Sequence, residues 1–160
     1  MDQENFSHLD KDGSANMVDI SEKNITSRSA SASCTVFLSS KAFDLVKENQ
    51  IEKGNVLNIA KIAAISASKK TYDLIPLCHQ IPLSKVDVDF SLNEKNKTIE
   101  IQSIAFTDWK TGVEMEALTA VSIASLTIYD MCKSVDKSIK ITDIQLDKKT
   151  GGKSGIYIRK

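Results

Sequence analysis

The sequence predicts an α+β protein in which helices pack on one face of a mostly antiparallel sheet. Residues 84–93 and 98–106 alternate apolar with polar side chains on either side of the polar turn EKNK, which is typical of a β-hairpin. Residues 113–135 are apolar over a length that suits a helix. The order of strand, two helices, hairpin, helix and one or two further strands indicates this fold class.

The first half of the chain supplies one strand and two helices. Residues 29–40, SASASCTVFLSS, alternate small polar with apolar side chains and predict the first strand. Either Ser39 or Ser40 could cap a helix over residues 40–50, because a serine hydroxyl can accept from a free amide of the first turn. Residues 55–75 are rich in Ala, Ile and Ser, which favours a helix packed closely on its neighbours.

The second half begins with the hairpin, whose first strand places one set of side chains on a single face: Val86, Val88, Phe90 and Leu92. A loop at residues 107–112 leads into the long helix. Residues 138–146 alternate and predict a strand, residues 147–155 form a glycine-rich loop, and residues 156–160 predict a last short strand.

Length and charge limit the classes of function. The 160 residues suit a single domain, which we place at residues 15–160 after a flexible, polar tail at residues 1–14. The 21 basic and 21 acidic residues balance, which argues against bulk electrostatic binding to nucleic acid or acidic lipid but is compatible with a local cationic pocket. No apolar run is long enough to span a bilayer, and the first residues do not follow the pattern of a secretion signal.

The cysteines Cys34, Cys78 and Cys132 are odd in number, far apart and in no CxxC pair. A disulfide framework and a structural zinc site are therefore not expected. We expect free thiols in a reducing, cytoplasmic compartment. Adjacent Cys78 and His79 would be a poor pair of ligands for one metal ion, so we assign no metal site to the chain.

The long helix carries its charged residues at its two ends. Glu114 and Glu116 lie in its first turn, where compensation of the helix dipole alone could explain them. Asp130 lies near the C-terminal end, where the dipole disfavours an acid, and Lys133 is its obvious partner. Apolar neighbours predict that this pair is partly buried, and such a pair is either structural or functional.

His79 and several lysines are further candidates for chemistry. The prolines Pro76 and Pro82 bracket His79, although a lone histidine is more often structural. The glycine-rich loop contains lysines and could hold phosphate, but it lacks P-loop spacing and no helix follows it. We assign other lysines to solvated surface: Lys23, Lys95, Lys97 and Lys140.

Seven short motifs occur in order along the chain: MVDIS at residues 17–21, KGNV at 53–56, DLIPLCH at 73–79, LSKV at 83–86, KTGVEMEALTA at 110–120, LTIYDMCK at 126–133 and GGKSG at 151–155. Together they resemble the cyclic pyranopterin monophosphate synthases of molybdenum-cofactor biosynthesis, the MoaC family. The resemblance covers about residues 15–158.

The resemblance implies a ferredoxin-like α+β fold and a hexamer assembled from dimers, with active sites at the dimer interfaces. It implies a lyase that converts (8S)-3′,8-cyclo-7,8-dihydroguanosine 5′-triphosphate to cyclic pyranopterin monophosphate and pyrophosphate. The resemblance assigns the catalytic role to Asp130 and Lys133. The implied substrate-binding residues are Leu77, Cys78, His79, Met115, Glu116, Glu114, Lys53, Lys69, Arg28 and Asp19. No cofactor is expected, and a Mg²⁺ ion, if the reaction requires one, would arrive with the phosphates.

Two positions depart from the family pattern. Asn16 stands where a histidine commonly precedes MVD, and it cannot titrate, so we assign it no role in proton transfer. Gln80 follows His79 where proline is common, and the next proline is Pro82, so the loop could differ slightly in shape.

Two other classes of function compete with the enzyme. The first is a nucleotide- or pterin-binding module that kept the fold and lost turnover. The second is a purely structural assembly protein, which would leave the charged pair of the long helix without a purpose. Pyrophosphate release from the cyclised GTP derivative distinguishes the enzyme from both.

Overall fold

Five antiparallel strands form one sheet in the order β2-β3-β1-β4-β5 in the computed structural model, which describes residues 12–160. The strands are β1 Thr26–Phe37, β2 Lys85–Asn93, β3 Thr98–Trp109, β4 Lys140–Thr150 and β5 Tyr157–Ile158. Most of the predicted tail at residues 1–14 lies outside the described residues, and the domain boundary at residue 15 stays a prediction.

The alternating sequence of β1 divides its side chains between the two faces of the sheet. One face carries its fully buried residues Ala30, Ala32, Cys34 and Val36. The intervening serines face the opposite side, as the period of two requires. Because β1 pairs with β3 on one edge and β4 on the other, this strand lies at the centre of the sheet.

The helices pack against the buried face of the sheet. They are α1 Ser40–Lys47, α2 Val56–Ser68, the short α3 Thr71–Leu74 and α4 Glu114–Cys132. Ser39 caps α1 by accepting from the amide of Ala42, so the first of the two serine candidates is correct. Asn55 caps α2 in the same way through the amide of Asn58.

The element order and sheet order confirm the predicted fold class. The first four strands with α2 and α4 make the succession βαββαβ, and their order in the sheet is that of two interleaved βαβ units. This is the ferredoxin-like arrangement, to which β5 adds a two-residue edge strand.

Small side chains allow the helices to approach the sheet closely. Ala117, Ala120 and Ala124 of α4 are fully buried, as are Ala60 and Ala64 of α2. These positions share one hydrophobic cluster with the buried face of β1 and β3. The close packing expected from the alanine-rich sequence of α2 is therefore present, and α4 shares it.

Most predicted boundaries differ from the structure by a few residues, and three of the differences have a clear physical cause. The helix over residues 55–75 breaks after Ser68, where the Thr71 hydroxyl donates to the Ser68 carbonyl and α3 starts anew. Strand β3 continues through residues 107–109, predicted as loop, because β1 begins at Thr26 and supplies partners for them. Strand β4 likewise continues through residues 147–150, because residues 148–150 pair with β1 and two of them also pair with β5.

Among residues 12–160, no helix is long and apolar enough to cross a membrane. The three cysteines are free thiols; Cys34 and Cys132 are buried and Cys78 is partly exposed.

Candidate active site

A cavity of about 290 Å³ lies where α4 begins. We call it the helix-start cavity, and it is lined by Leu77, Cys78, His79, Ile81, Thr111, Gly112, Glu114, Met115 and Glu116. The chain reaches it twice, through the segment after α3 and through the first turn of α4. The structure thus brings six of the predicted substrate-binding residues to one place.

Glu116 lies at the wall of this cavity, and the residue is only 3% exposed. Burial raises its pKa to about 7, and the neighbouring Glu114 adds to the shift. Compensation of the helix dipole does not explain the pKa of this residue. The dipole would favour the ionised carboxylate and lower the pKa, and the effect of burial is larger. Burial also raises the pKa of the Cys78 thiol, with a further contribution from Glu116.

His79 is held by the segment that precedes β1. Its Nε2 lies 2.8 Å from the carbonyl oxygen of Val18. A carbonyl can only accept, so Nε2 carries the proton and donates. The other ring nitrogen, Nδ1, is therefore the one that accepts a proton or a hydrogen bond when the ring is neutral.

A larger cavity, of about 800 Å³, adjoins the first at Thr111. We call it the glycine-loop cavity, and it is lined by Asp19, Glu22, Lys23, Asn24, Thr26, Arg28, Lys110, Thr111, Gly152, Lys153 and Ser154. Hydrogen bonds from Ser21 lower the pKa of the Asp19 carboxyl. The Lys110 ammonium donates to the Ser21 carbonyl over 2.5 Å, which ties the segment before β1 to the end of β3.

Three charged side chains meet at the other end of α4, in what we call the helix-end cluster. The Lys133 ammonium lies 2.6 Å from one carboxylate oxygen of Asp130, and the Lys53 ammonium lies 3.4 Å from the other. Lys53 also donates to the Asp130 carbonyl over 2.7 Å. The hydrogen bond from Lys133 is the main cause that lowers the pKa of Asp130, and the same bond raises the pKa of Lys133.

The expectation that the Asp130–Lys133 pair is partly buried is wrong for the isolated chain. Its side chains are 59% and 52% exposed. The apolar neighbours of Asp130 in the sequence turn inward to the core, as Met131 and Cys132 do, and leave the charged side chains outside.

The predicted site residues therefore fall into separate groups within one chain. Glu116 and Asp130 are 14 positions apart on α4, so their backbones are roughly 21 Å apart. Helix α2 runs antiparallel to α4, because Lys53 before its start contacts Asp130. Lys69 at the C-terminal end of α2 consequently belongs to the end of the helix pair where α4 begins.

Several lining residues were missed by the sequence analysis. Ile81 carries no charge and lies in no motif, and Lys110 and Thr111 were quoted only within a motif. Lys23 was assigned to plain surface, yet it lines the glycine-loop cavity. Gly112 was missed as well, although its role is visible only in three dimensions: a Cβ there would lie 2.8 Å from Oε1 of Glu114. In residues 12–160, no three His, Cys, Asp or Glu side chains are grouped to hold a metal ion.

The structure is an α+β protein with two adjoining cavities, which bring together a carboxyl of near-neutral pKa, a histidine and a group of cationic side chains. Residues 17–152 match the model of the MoaC family. The chain belongs to this family.

Relatives of known name are similar over nearly the whole chain. The cyclic pyranopterin monophosphate synthase of Heliobacterium modesticaldum is 54% identical over 96% of this chain and 97% of its own length. That of Natranaerobius thermophilus is 52% identical over 94% of both chains. The Arabidopsis thaliana protein named cyclic pyranopterin monophosphate synthase, mitochondrial, is 51% identical over 99% of this chain, which spans 58% of the plant protein.

Proposed function

We propose that this protein is a cyclic pyranopterin monophosphate synthase, a lyase of molybdenum-cofactor biosynthesis. Its substrate would be (8S)-3′,8-cyclo-7,8-dihydroguanosine 5′-triphosphate, and its products cyclic pyranopterin monophosphate and pyrophosphate. The observation that carries the proposal is the identity of about half of all positions, over nearly the full chain, with relatives of that name.

The helix-start cavity is the proposed site for the purine-derived rings of the substrate. Leu77, Met115 and Ile81 offer apolar surface, and polar groups stand beside them. Opening and reclosing the rings requires proton transfers, for which a group with a pKa near the working pH is best suited. The Glu116 carboxyl has a pKa of about 7, so it can both donate and accept a proton. Nδ1 of His79 is a second acceptor.

The helix-end cluster is the proposed catalytic pair, Asp130 and Lys133, with Lys53 beside it. The pKa of Asp130 is lowered, so this carboxyl is ionised at neutral pH and holds two ammonium groups in place. Those ammonium groups can stabilise the negative charge that develops when pyrophosphate leaves.

The phosphates of the substrate require cationic partners, and Arg28, Lys53 and Lys69 are the proposed ones. Asp19 stands near Arg28 at the same cavity and is proposed to orient its cationic neighbours. A Mg²⁺ ion, if the reaction uses one, would enter with the phosphate oxygens, which are the hard ligands that it prefers.

The active site is proposed to be shared between chains. One small substrate cannot contact both Glu116 and Asp130 of the same helix, because their backbones are roughly 21 Å apart. A two-fold dimer can set the start of one α4 near the end of its partner's. We propose a hexamer made of three such dimers, in a reducing compartment such as the cytoplasm, which the free thiols favour.

The test is pyrophosphate release by the purified protein when it is given the cyclised GTP derivative. The enzyme releases one pyrophosphate for each pyranopterin formed. Tight binding of the compound without release would instead identify a binding module, and neither binding nor release would identify a structural protein.

A further inference from the structure

The Arg28 side chain enters the glycine-loop cavity in a fixed orientation. Its Nε donates to the carbonyl oxygen of Trp109 over 3.0 Å. The guanidinium has five N–H donors, so four of them, on Nη1 and Nη2, remain beyond this bond. A planar guanidinium that is held at one nitrogen presents the others in a defined direction, which suits recognition of phosphate.

Gly152 forms the wall against which this guanidinium lies. A Cβ added at Gly152 would overlap Nη1 of Arg28 and would lie 3.1 Å from Cζ and 3.3 Å from Nη2. The backbone at Gly152 also has a φ of +74°, which favours glycine. The absence of a side chain therefore lets the loop backbone and the guanidinium approach each other closely.

The rest of the cavity wall is suited to a polyanion. Three further cationic side chains line it, those of Lys23, Lys110 and Lys153, against the carboxylates of Asp19 and Glu22. The Lys149 ammonium donates a hydrogen bond to the Ser154 hydroxyl, which connects the loop to β4. A phosphate chain in this cavity would meet a net positive wall.

We propose that Gly152 is a positioning residue, which sets the Arg28 guanidinium for the phosphate chain of the substrate. The inference rests on the proposed function and deepens it, because it gives the glycine loop the task of holding a cation rather than of wrapping phosphate with its own amides. Gly152 acts through Arg28, so its effect disappears when Arg28 is absent.

Gly155 offers a matched control in the same loop. Its φ is +65°, so alanine there carries a similar backbone strain, but no atom lies within 4 Å of an added Cβ. Its amide, which donates to the Gly152 carbonyl, is kept in an alanine variant. Gly151 is unsuitable as a control, because a Cβ there would overlap the backbone carbonyl of Ser27.

The experiment measures binding of inorganic pyrophosphate by titration calorimetry, together with substrate KM and kcat, for Gly152→Ala and Gly155→Ala. We expect Gly152→Ala to raise the Kd for pyrophosphate and the KM by about tenfold or more, which is the scale for loss of a charge-assisted hydrogen bond. We expect less than a twofold change for Gly155→Ala. The midpoint of thermal unfolding should fall equally in both variants, because the atoms nearest to the added methyl at position 152 belong to the end of the Arg28 side chain and not to the backbone.

A double-mutant cycle then tests the route of the effect. In Arg28→Ala, adding Gly152→Ala should cause no further loss of pyrophosphate affinity. Equal pyrophosphate affinities in Gly152→Ala and Gly155→Ala, or additive losses of affinity in the cycle, would overturn the inference. Turnover by the wild-type protein would still support the proposed function in that case. A wild-type protein that neither releases nor binds pyrophosphate would overturn both.

Discussion

Glu116 and Asp130 stand on one helix, and their environments shift their pKa values in opposite directions. Burial raises the pKa of Glu116 to about 7, whereas the ammonium groups of Lys133 and Lys53 lower that of Asp130. Pairs of this kind separate the roles of acid and base in many active sites. Glu116 is accordingly the carboxyl that can carry a proton at neutral pH, and Asp130 the one that stays charged.

Glu116 should make the stability of the protein fall as the pH rises. Its folded-state pKa of about 7 lies above the ordinary value of 4.5, so between these values the folded protein holds a proton that the unfolded chain has lost. The difference corresponds to roughly 3 kcal/mol. Between pH 4.5 and 8, we expect the unfolding free energy of wild type to fall by about 3 kcal/mol more than that of the Glu116→Gln variant. Urea denaturation at fixed protein concentration measures it, and parallel pH profiles would contradict it.

Asp130 and Lys133 should matter for turnover and little for folding. Both side chains are more than half exposed, so Asp130→Asn and Lys133→Ala should leave the thermal midpoint of unfolding nearly unchanged. If they serve proton transfer or charge stabilisation, kcat should fall by about 10²- to 10⁴-fold. Lys47→Ala is a matched control, because it breaks another exposed ion pair, with Glu94. Full activity per folded molecule in both site variants would show the pair to be structural.

At the scale of residues, the sequence predicted where each charged side chain lies along α4, but not whether that side chain is buried or exposed. The sequence placed the charged side chains at the ends of α4, because the apolar middle left no other place for them. Whether a carboxyl there is buried depends on what covers it. Glu116 lines one cavity with Cys78 and His79, which are far from it in sequence, whereas the Asp130 side chain is more than half exposed in the single chain.

At the scale of elements, the alanines of α2 and α4 determine how closely the helices approach each other and the sheet. Ala64 is fully buried in α2, and a leucine there would have to displace its neighbours. We expect Ala64→Leu to lower the unfolding free energy by about 1–3 kcal/mol. Ser66→Leu introduces the same side chain at an exposed position of the same helix and should change it by less than about 0.5 kcal/mol. Equal losses in urea denaturation would contradict close packing at Ala64.

The elements themselves were largely predictable, and their ends were not. Alternation identified β1, β2 and β3, and apolar length identified α4. The last residues of β3 and β4 lack alternation, and they are strands only because β1 lies between them and offers partners. The order of the strands also came from tertiary pairing, since nothing local in β1 indicates that it is central.

At the scale of the whole molecule, the separation of the two ends of α4 leads to a test by complementation. A His79→Ala variant and an Asp130→Asn variant should each be inactive. When their subunits are exchanged under mild denaturant, some mixed dimers would carry both lesions in one site and none in the other. We expect activity to return toward a fraction of that of wild type.

Two controls belong to this experiment. Mixing without denaturant should give no recovery, which separates subunit exchange from contamination. Mixing His79→Ala with a Glu116→Gln variant, whose lesion lies in the same cavity, should also give none. Failure of the first pair to recover, with exchange proven by mass labels, would place the whole site in one chain.

The central place of β1 has a consequence for synthesis on the ribosome. The hydroxyls of Ser29 and Thr150 are bonded across strands although 121 positions separate them. At 5–20 residues per second, about 6–24 s pass between the emergence of these two residues. During that interval the edge of β1 that will pair with β4 has no partner strand. Such an open edge can pair wrongly with other nascent chains. The small serines and alanines that fill this strand offer such chains little apolar surface, which suits a strand that must wait for its last partner.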